Sequence, residues 1–388
     1  MKFYKGEKMK DLSQIRVEID QVDDQIKELY LKRMGLAEEV ANQKKQTGKG
    51  VTDIERENAV VYRLAKDLPD NMKLYLKELY STIFNTGKAY QSTIIGKSSQ
   101  TINKLEEILK GDLENFPITA SVACQGIKGA NSGVATHKLF PVSDIIYFRD
   151  FDGVFNAVEK GFCEYGVLPI ENSTAGSVSE VYDLMKKHNF YIVRSIRVRI
   201  DHCLCAKEGA DIKNIKKVIS HSQALSQCQD YLKNLKVETE SCENTAVAGK
   251  KVADGDDLTV AAICSYDCAE AYGLKVLDKS VQDNLNNFTR FICISKELKI
   301  FSGADRISVM TSLSHKPGSL NAILARFSAL GLNLTKIESR PIANSEFEFM
   351  FYFDFEGNVK DIEVKNVISE LENGSDKFVF LGSYKEIL

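Results

Sequence analysis

In the first part of the chain, Leu12, Ile15, Ile19, Val22, Ile26, Leu29, Arg33, Leu36 and Val40 recur at alternating spacings of three and four. That is the stripe of an amphipathic helix with a heptad-like seam. The pattern predicts a helix from about Asp11 to Lys45, roughly 50 Å long at ~1.5 Å per residue. A domain of this size cannot cover such a seam alone, so a helical homodimer is expected, with a tetramer as the larger alternative. Ile54, Glu57, Val61, Leu64 and Leu68 predict a second helix, opened by a capping box of Thr52 and Glu55. A third runs from Asp70 to about Gln91, with Met72, Leu76, Leu79, Ile83 and Thr86 inward.

After Pro117 the pattern changes. Short β-branched runs alternate with amphipathic helices and Gly/Ser/Asn turns, as in an α/β domain. From Asp305 the order reads strand, helix, strand, strand, helix, strand, the ferredoxin-like βαββαβ unit. The expected organisation is an all-helical domain over 1–95, a linker over 96–115 carrying the short helix TINKLEEILKG, an α/β domain over 116–300, and the terminal module over 304–388.

At 388 residues, the chain fits two to three domains. A net charge of −3 gives no global basic field to recruit nucleic acid or an anionic membrane. No apolar run approaches the ~20 residues of a membrane-spanning helix, and the opening residues lack an apolar signal core. The nine cysteines form no CxxC pair and sit mostly in apolar runs. They read as buried reduced thiols of a cytoplasmic protein. No metal or cofactor is expected.

Charges on the helical stripes carry the first chemical signal. Arg33 occupies a seam position, Lys44 extends the same face, and Arg16 flanks it. Glu57 lies inside the second stripe beside Arg56, and Gln91 falls near the inward face of the third helix. Singly, each charge could snorkel to water. Together they leave more inward cation than one carboxylate can neutralise, and burying unpaired cations is costly. The surplus implies a missing anion, a small dicarboxylate. The segment from Leu12 to Gln91 resembles the all-helical chorismate mutases. That resemblance carries Arg16, Arg33, Lys44, Asp53, Arg56, Glu57 and Gln91 onto the family's active-site pattern, in order, while a family serine falls at Gly87. It implies that Lys44 and Gln91 donate to the breaking ether oxygen, Arg33 and Arg56 hold carboxylates, Glu57 and Asp53 manage the hydroxyl, and Arg16 reaches over from a partner chain.

In the α/β domain, polar turns follow apolar runs: VAC precedes QGIKGANSGVAT, YGVLPI precedes ENSTAGS, and IKKVIS precedes HSQALSQC. Open α/β sheets bind ligands at the carboxyl ends of strands, and helices opening there present free N–H groups. Ordinary helix capping explains any single turn; a succession points to a cleft. Thr289 in NNFTRFICIS precedes a strand, so a capping role is weak. The TRF, ENS and HSQ strings are similar to those of the prephenate dehydratases from Pro117 to about Ser295. The resemblance implies a two-lobed, periplasmic-binding-protein-like α/β fold, with Thr289 donating to the leaving hydroxyl. Asn131, Ser132, Glu171, Asn172, Ser173, Ser220, His221, Gln227 and Phe291 would line the cleft, and Arg290 would fix a carboxylate. His221 is either a general acid or a capping residue. The glycine loop departs from the family's commoner form at Ile127 and Asn131.

The strings HKPGSLNAIL and NLTKIESRPI resemble those of amino-acid-sensing ACT modules. They carry Gly318, Ser319, Leu320, Asn333, Leu334, Glu338, Ser339, Arg340 and Pro341 as effector-binding positions. The combined expectation is a bifunctional chorismate mutase–prephenate dehydratase, acting on chorismate and prephenate and inhibited by L-phenylalanine. Two competing readings are an arogenate-preferring dehydratase and a non-catalytic sensor of prephenate or an amino acid.

Overall fold

The computed structural model describes residues 11–48, 51, 53–95, 99–313, 316–342 and 348–388, and the chain divides into two compact units. The first holds α1 (Leu12–Thr47), α2 (Ile54–Ala65) and α3 (Asp70–Ile95). α1 ends at Gly48, whose φ of 69° lies in the left-handed region that glycine adopts without strain. Thr52 lies outside the described residues; the carboxylate that caps α2 belongs to Asp53 and accepts from the Arg56 N–H at 3.0 Å.

α3 runs in the same sense beside the C-terminal half of α1. Arg33 meets Ile83, Tyr90 meets Glu38, and Lys45 meets Ile94. Ala37 and Ala41 are the buried residues of α1, small enough to admit a close helix. The seam itself stays uncovered: Leu12, Ile15, Ile19, Val22, Ile26, Leu29, Leu36 and Val40 are all 39–69% exposed. Two inward assignments on α3 fail, since Met72 and Leu79 are exposed. Helix burial is concentrated further along, where Gly87 is buried and Phe84 half-buried.

The second unit opens with α4 (Gln100–Leu109). Its large lobe follows as β1 (Thr119–Gln125), α5 (Asn131–Leu139), β2 (Val142–Phe148), α6 (Phe151–Glu159), β3 (Tyr165–Asn172), a short β4 (Gly176–Ser177), α7 (Ser179–Met185) and β5 (Tyr191–Arg199). The chain then crosses to a small lobe built from β6 (Cys203–Ala206), β7 (Lys217–His221), α8 (Ser222–Gln227), α9 (Gln229–Leu235) and β8 (Glu238–Cys242). α10 (Thr245–Asp254), β9 (Val260–Cys264), α11 (Tyr266–Tyr272) and β10 (Lys275–Asp278) complete it. β11 (Phe288–Ser295) returns to the large lobe between β5 and β3. The lobes therefore have separate sheets, joined by the crossings before β6 and after β10. The two-lobed α/β expectation holds.

The terminal module is β12 (Arg306–Ser312), α12 (Ser319–Ala329), β13 (Leu334–Pro341), β14 (Phe349–Glu356), α13 (Ile362–Gly374) and β15 (Phe378–Ile387). Its sheet order, β13-β14-β12-β15, with every neighbour antiparallel, is the split βαββαβ arrangement. The end of β15 then pairs in parallel with β5, Lys385–Ile387 against Arg194–Ile196, so the module and the large lobe share one ten-stranded sheet. All nine cysteines are free thiols, and no described helix is long and apolar enough to cross a membrane.

Alternation along β11 fixes what each face receives. Phe291 and Cys293 enter a core with Phe140 and Tyr165, while Ile292 and Ile294 enter another with Met310, Tyr352 and Tyr384 of the terminal module. Arg290 lies on the latter face. It reaches Asp354 and donates to the Tyr384 hydroxyl at 2.8 Å. Its Nε lies 2.9 Å from a Glu386 carboxylate oxygen as an ion pair, not an aligned hydrogen bond. Asp354 and Tyr384 are fully buried, and Ser308 donates to Asp354. The guanidinium is thus matched by acids of the terminal module. Removing one partner strands a buried charge, which costs roughly 3–5 kcal/mol. Arg290→Met and Asp354→Asn should each destabilise the second unit by about that amount in denaturant unfolding, and the double variant by clearly less than the sum.

Candidate functional site

In the helical unit, the expected residues on the C-terminal half of α1 are Arg33 and Lys44, while Arg16 lies in its N-terminal half. Arg33 and Lys44 are half-buried. The Arg33 guanidinium sits over the Phe84 ring, 5.5 Å from its centroid, and donates to the Ile83 carbonyl at 3.3 Å. Gly87 leaves room for it: a Cβ there would lie 3.3 Å from an Arg33 terminal nitrogen, which would have to shift by a few tenths of an ångström. Lys44 donates to the Val51 carbonyl at 2.8 Å, and its two other protons have no acceptor among the described residues. Glu57 on α2 pairs with Lys88 on α3 at 3.1 Å. Gln91 follows Lys88 by one helical turn, and its side-chain oxygen is buried with no partner among the described residues. Arg16, Asp53 and Arg56 are exposed, Asp53 serving as the cap of α2. Lys88 was not anticipated: its partner is 31 positions away, so no local spacing signals the pair.

In the second unit, Thr289 and Asn172 face each other across β11 and β3. A register shift on β3 leaves Ile170 unmatched, Arg290 opposing Glu171 and Phe291 opposing Pro169. Such a bulge re-aims the side chains beyond it, turning Glu171 towards the terminal module and Asn172 towards Thr289. The Asn172 amide donates to the Thr289 hydroxyl at 2.9 Å and to the Asn287 side-chain oxygen at 2.8 Å. Its own oxygen accepts the backbone N–H groups of Thr174 and Ala175 at 3.0 and 2.9 Å. Asn287 in turn donates to the Gln227 oxygen at 3.0 Å, which also accepts from His202 at 3.0 Å. Ser173 clamps the start of β11, accepting the Phe288 N–H at 3.0 Å. Burial lowers the His202 pKa, favouring the neutral ring. Asn287 and His202 were missed. Asn287 precedes Thr289 by two on the same extended run, a strand-period signal that would have found it; His202 carries no local signal.

The remaining expected cleft residues separate. Asn131 begins α5 and is half-buried, and Ser132 beside it is buried. The preceding loop carries Gly129 at φ +85°, where a Cβ would lie 2.8 Å from the Cys268 Cα of the small lobe; only glycine lets the lobes approach so closely. His221 is a cap: its Nδ1 accepts the Gln223 N–H at 3.3 Å at the start of α8. Four placements correct the sequence reading: Ser220, Phe291 and Arg290 here, and Glu171 at the terminal module. Ser220 is fully buried and donates to the Ile263 carbonyl at 2.6 Å, tying β7 to β9. Phe291 is core, because it follows the strand's alternation inward. Arg290 serves the terminal module, donating to Asp354 and the Tyr384 hydroxyl and pairing with Glu386.

The terminal module's expected effector residues also separate by strand parity. Glu338 accepts from Ser177 at 2.7 Å, and Arg340 binds both oxygens of Asp183 in α7, the nearer at 2.7 Å. Lys336 bridges to Glu171 at 2.8 Å, so that carboxylate faces the module instead of a cleft. Asn333 donates to Glu356 at 3.0 Å, and Ser339 and Pro341 are exposed. Gly318, at φ 88°, caps α12 ahead of Ser319 and Leu320, while Leu334 opens β13.

Comparisons with known proteins agree with this division. The family model for chorismate mutase type II matches residues 15–92, and that for prephenate dehydratase matches residues 122–299. A bifunctional chorismate mutase/prephenate dehydratase of Escherichia coli is 30% identical over 95% of both chains. An arogenate dehydratase/prephenate dehydratase of Arabidopsis thaliana is 38% identical over 68% of this chain and 72% of its own. Among solved structures, a prephenate dehydratase in complex with L-Phe from Arthrobacter aurescens is 29% identical, with a TM-score of 0.63 over 68% of this chain and 89% of that one.

The Arg340–Asp183 contact yields a pH prediction. The Arg340 hydrogen bonds hold the Asp183 pKa down at about 2, against an ordinary value near 3.8. A depressed carboxylate stabilises the fold above its ordinary pKa and loses that contribution as pH falls through the folded value. Melting temperature should therefore drop between pH 4 and 2 by more in the parent than in Asp183→Asn; equal slopes would show the contact to be idle.

Proposed function

We infer the activity from one premise: the chain belongs to the bifunctional chorismate mutase/prephenate dehydratase family. It rearranges chorismate to prephenate in the helical unit and converts prephenate to phenylpyruvate in the two-lobed unit. The observation that carries this reading is the co-occurrence, on one chain, of a half-buried cation cluster on α1 and a threonine–asparagine pair on paired strands.

The mutase step is a pericyclic shift and requires neither a nucleophile nor a proton relay. Its site must hold a dianion in a folded conformer and stabilise the ether oxygen as the C–O bond breaks. Lys44 and Gln91 serve that oxygen, Arg33 and Arg56 take the carboxylates, and Glu57 with Asp53 takes the hydroxyl. A second copy of the chain covers the apolar seam of α1 and supplies its Arg16, making the assembly a homodimer or a higher state built from it.

The dehydratase step breaks the ring C–carboxylate bond, releasing CO₂. Those electrons aromatise the ring and expel the hydroxyl, which leaves as water on taking a proton. Thr289 donates that proton and regains one from solvent, with Asn131, Ser132, Asn172 and Gln227 around the cleft. The terminal module is an ACT domain that binds L-phenylalanine and inhibits by favouring a less active arrangement. The L-Phe complex of the Arthrobacter aurescens prephenate dehydratase supports this effector. Arogenate is the rival dehydratase substrate, since it is named for several relatives. The fused mutase, whose product is prephenate, favours prephenate.

The deciding experiment incubates the protein with chorismate and follows phenylpyruvate with and without phenylalanine, with arogenate as a parallel substrate. Arg33→Ala should lower mutase kcat/KM by ~100-fold or more, about 2.7 kcal/mol, while phenylpyruvate forms normally from supplied prephenate. Thr289→Ala should do the reverse. Loss of both activities in either variant would mark a folding defect.

A further inference from the structure

The donor inventory around Thr289 is fixed from one end to the other. Two backbone N–H groups, of Thr174 and Ala175, point at the Asn172 side-chain oxygen, so this atom must be the acceptor and the amide nitrogen must face the other way. That nitrogen has two protons and three acceptors in reach: the Asn287 oxygen at 2.8 Å, the Thr289 hydroxyl oxygen at 2.9 Å and the Phe288 carbonyl at 3.3 Å, of which the two nearer take the protons. The Asn287 nitrogen is then turned to Gln227, whose near atom must accept. His202, on the same Gln227 atom, must therefore carry its proton on Nε2. No choice of tautomer or amide flip in the chain remains free.

The consequence falls on Thr289. Its hydroxyl oxygen already accepts, and its hydrogen has no acceptor among the described residues. The hydroxyl is thus oriented as a donor towards an outside group. The chain of contacts also joins the two lobes. Asn172 and Thr289 belong to the large-lobe sheet, Gln227 closes α8 of the small lobe, and His202 and Asn287 sit on the two crossings. Asn172, Asn287 and His202 are all more than nine-tenths buried, so solvent does not compete for these bonds.

We propose that Asn287 is a positioning residue of the dehydratase reaction: with Gln227 and His202 it sets the Asn172 amide, and through it presents Thr289 as a proton donor. Asn287 touches no substrate. It ties the orientation of Thr289 to the placement of the small lobe, so the hydroxyl is correctly aimed when the lobes hold this arrangement. The inference rests on the assignment of Thr289 as donor made above and adds residues that the assignment does not contain.

The test uses the full chain and supplied prephenate. Asn287→Ala, and the isosteric Asn287→Asp in case the first does not fold, should lower dehydratase kcat by roughly 10- to 100-fold, as expected of misplacement without lost contact. KM should move by less than about threefold, and mutase turnover of chorismate should stay at the parent rate. In a Thr289→Ala background, Asn287→Ala should lower kcat by no more than about twofold, because residues acting as one unit are not additive. Nitrogen-15 NMR of labelled histidine should find His202 protonated on Nε2 in the parent. A folded Asn287 variant within about twofold of parental kcat overturns the proposal. So does a loss that multiplies onto Thr289→Ala, or a His202 ring protonated on Nδ1. Should Thr289→Ala itself retain dehydration, the donor assignment falls first and the role of Asn287 with it. Should Thr289→Ala fail while Asn287→Ala does not, the present inference alone is lost.

Discussion

Successive side chains of an extended strand leave opposite faces of the sheet, and β11 applies that rule to two neighbours with different tasks. Thr289 turns to Asn172 and the polar chain between the lobes; Arg290 turns to Asp354, Tyr384 and Glu386 of the terminal module. One strand is therefore held from both sides by polar groups that cannot be left unpaired in a buried setting. The shared ten-stranded sheet makes the link direct, since β15 bonds to β5 beside β11. Any movement of the terminal module bears on the strand that presents Thr289.

A second set of contacts runs in the same direction. Lys336, Glu338 and Arg340 leave alternate positions of β13 and meet Glu171, Ser177 and Asp183. Glu171 precedes Asn172 and follows the unmatched Ile170, so the bulge that aims Asn172 at Thr289 also aims Glu171 at Lys336. Site geometry and module docking are two results of one irregularity in pairing.

The helical unit works by different means. Its cations are held by weak, partly exposed contacts: a carbonyl and an aromatic face for Arg33, a carbonyl for Lys44, a carboxylate–ammonium pair for Glu57 and Lys88. Among the described residues, none of these contacts neutralises Arg33 or Lys44. The apolar seam of α1 is likewise exposed.

Periodicity, turn residues and charge on a stripe are local properties, and the sequence carried them: three helices in the first unit, alternating strands and helices after Pro117, the βαββαβ order, and the inward positions of Arg33, Lys44 and Glu57. It also paired Thr289 and Asn172 in one site, though only through motif resemblance. What it could not carry was direction in space. Arg290 is an ordinary cation in sequence, and only the docked module supplies the acids that claim it. Ser220 and Phe291 stand beside polar motifs but fall on strand positions that point into the core, which parity and register decide. Glu338 and Arg340 face the large lobe because β13 lies against it, and the partners are about 160 positions away. Asn287, His202 and Lys88 act through partners distant in the chain, so their roles exist only once the fold has brought those partners within hydrogen-bond range.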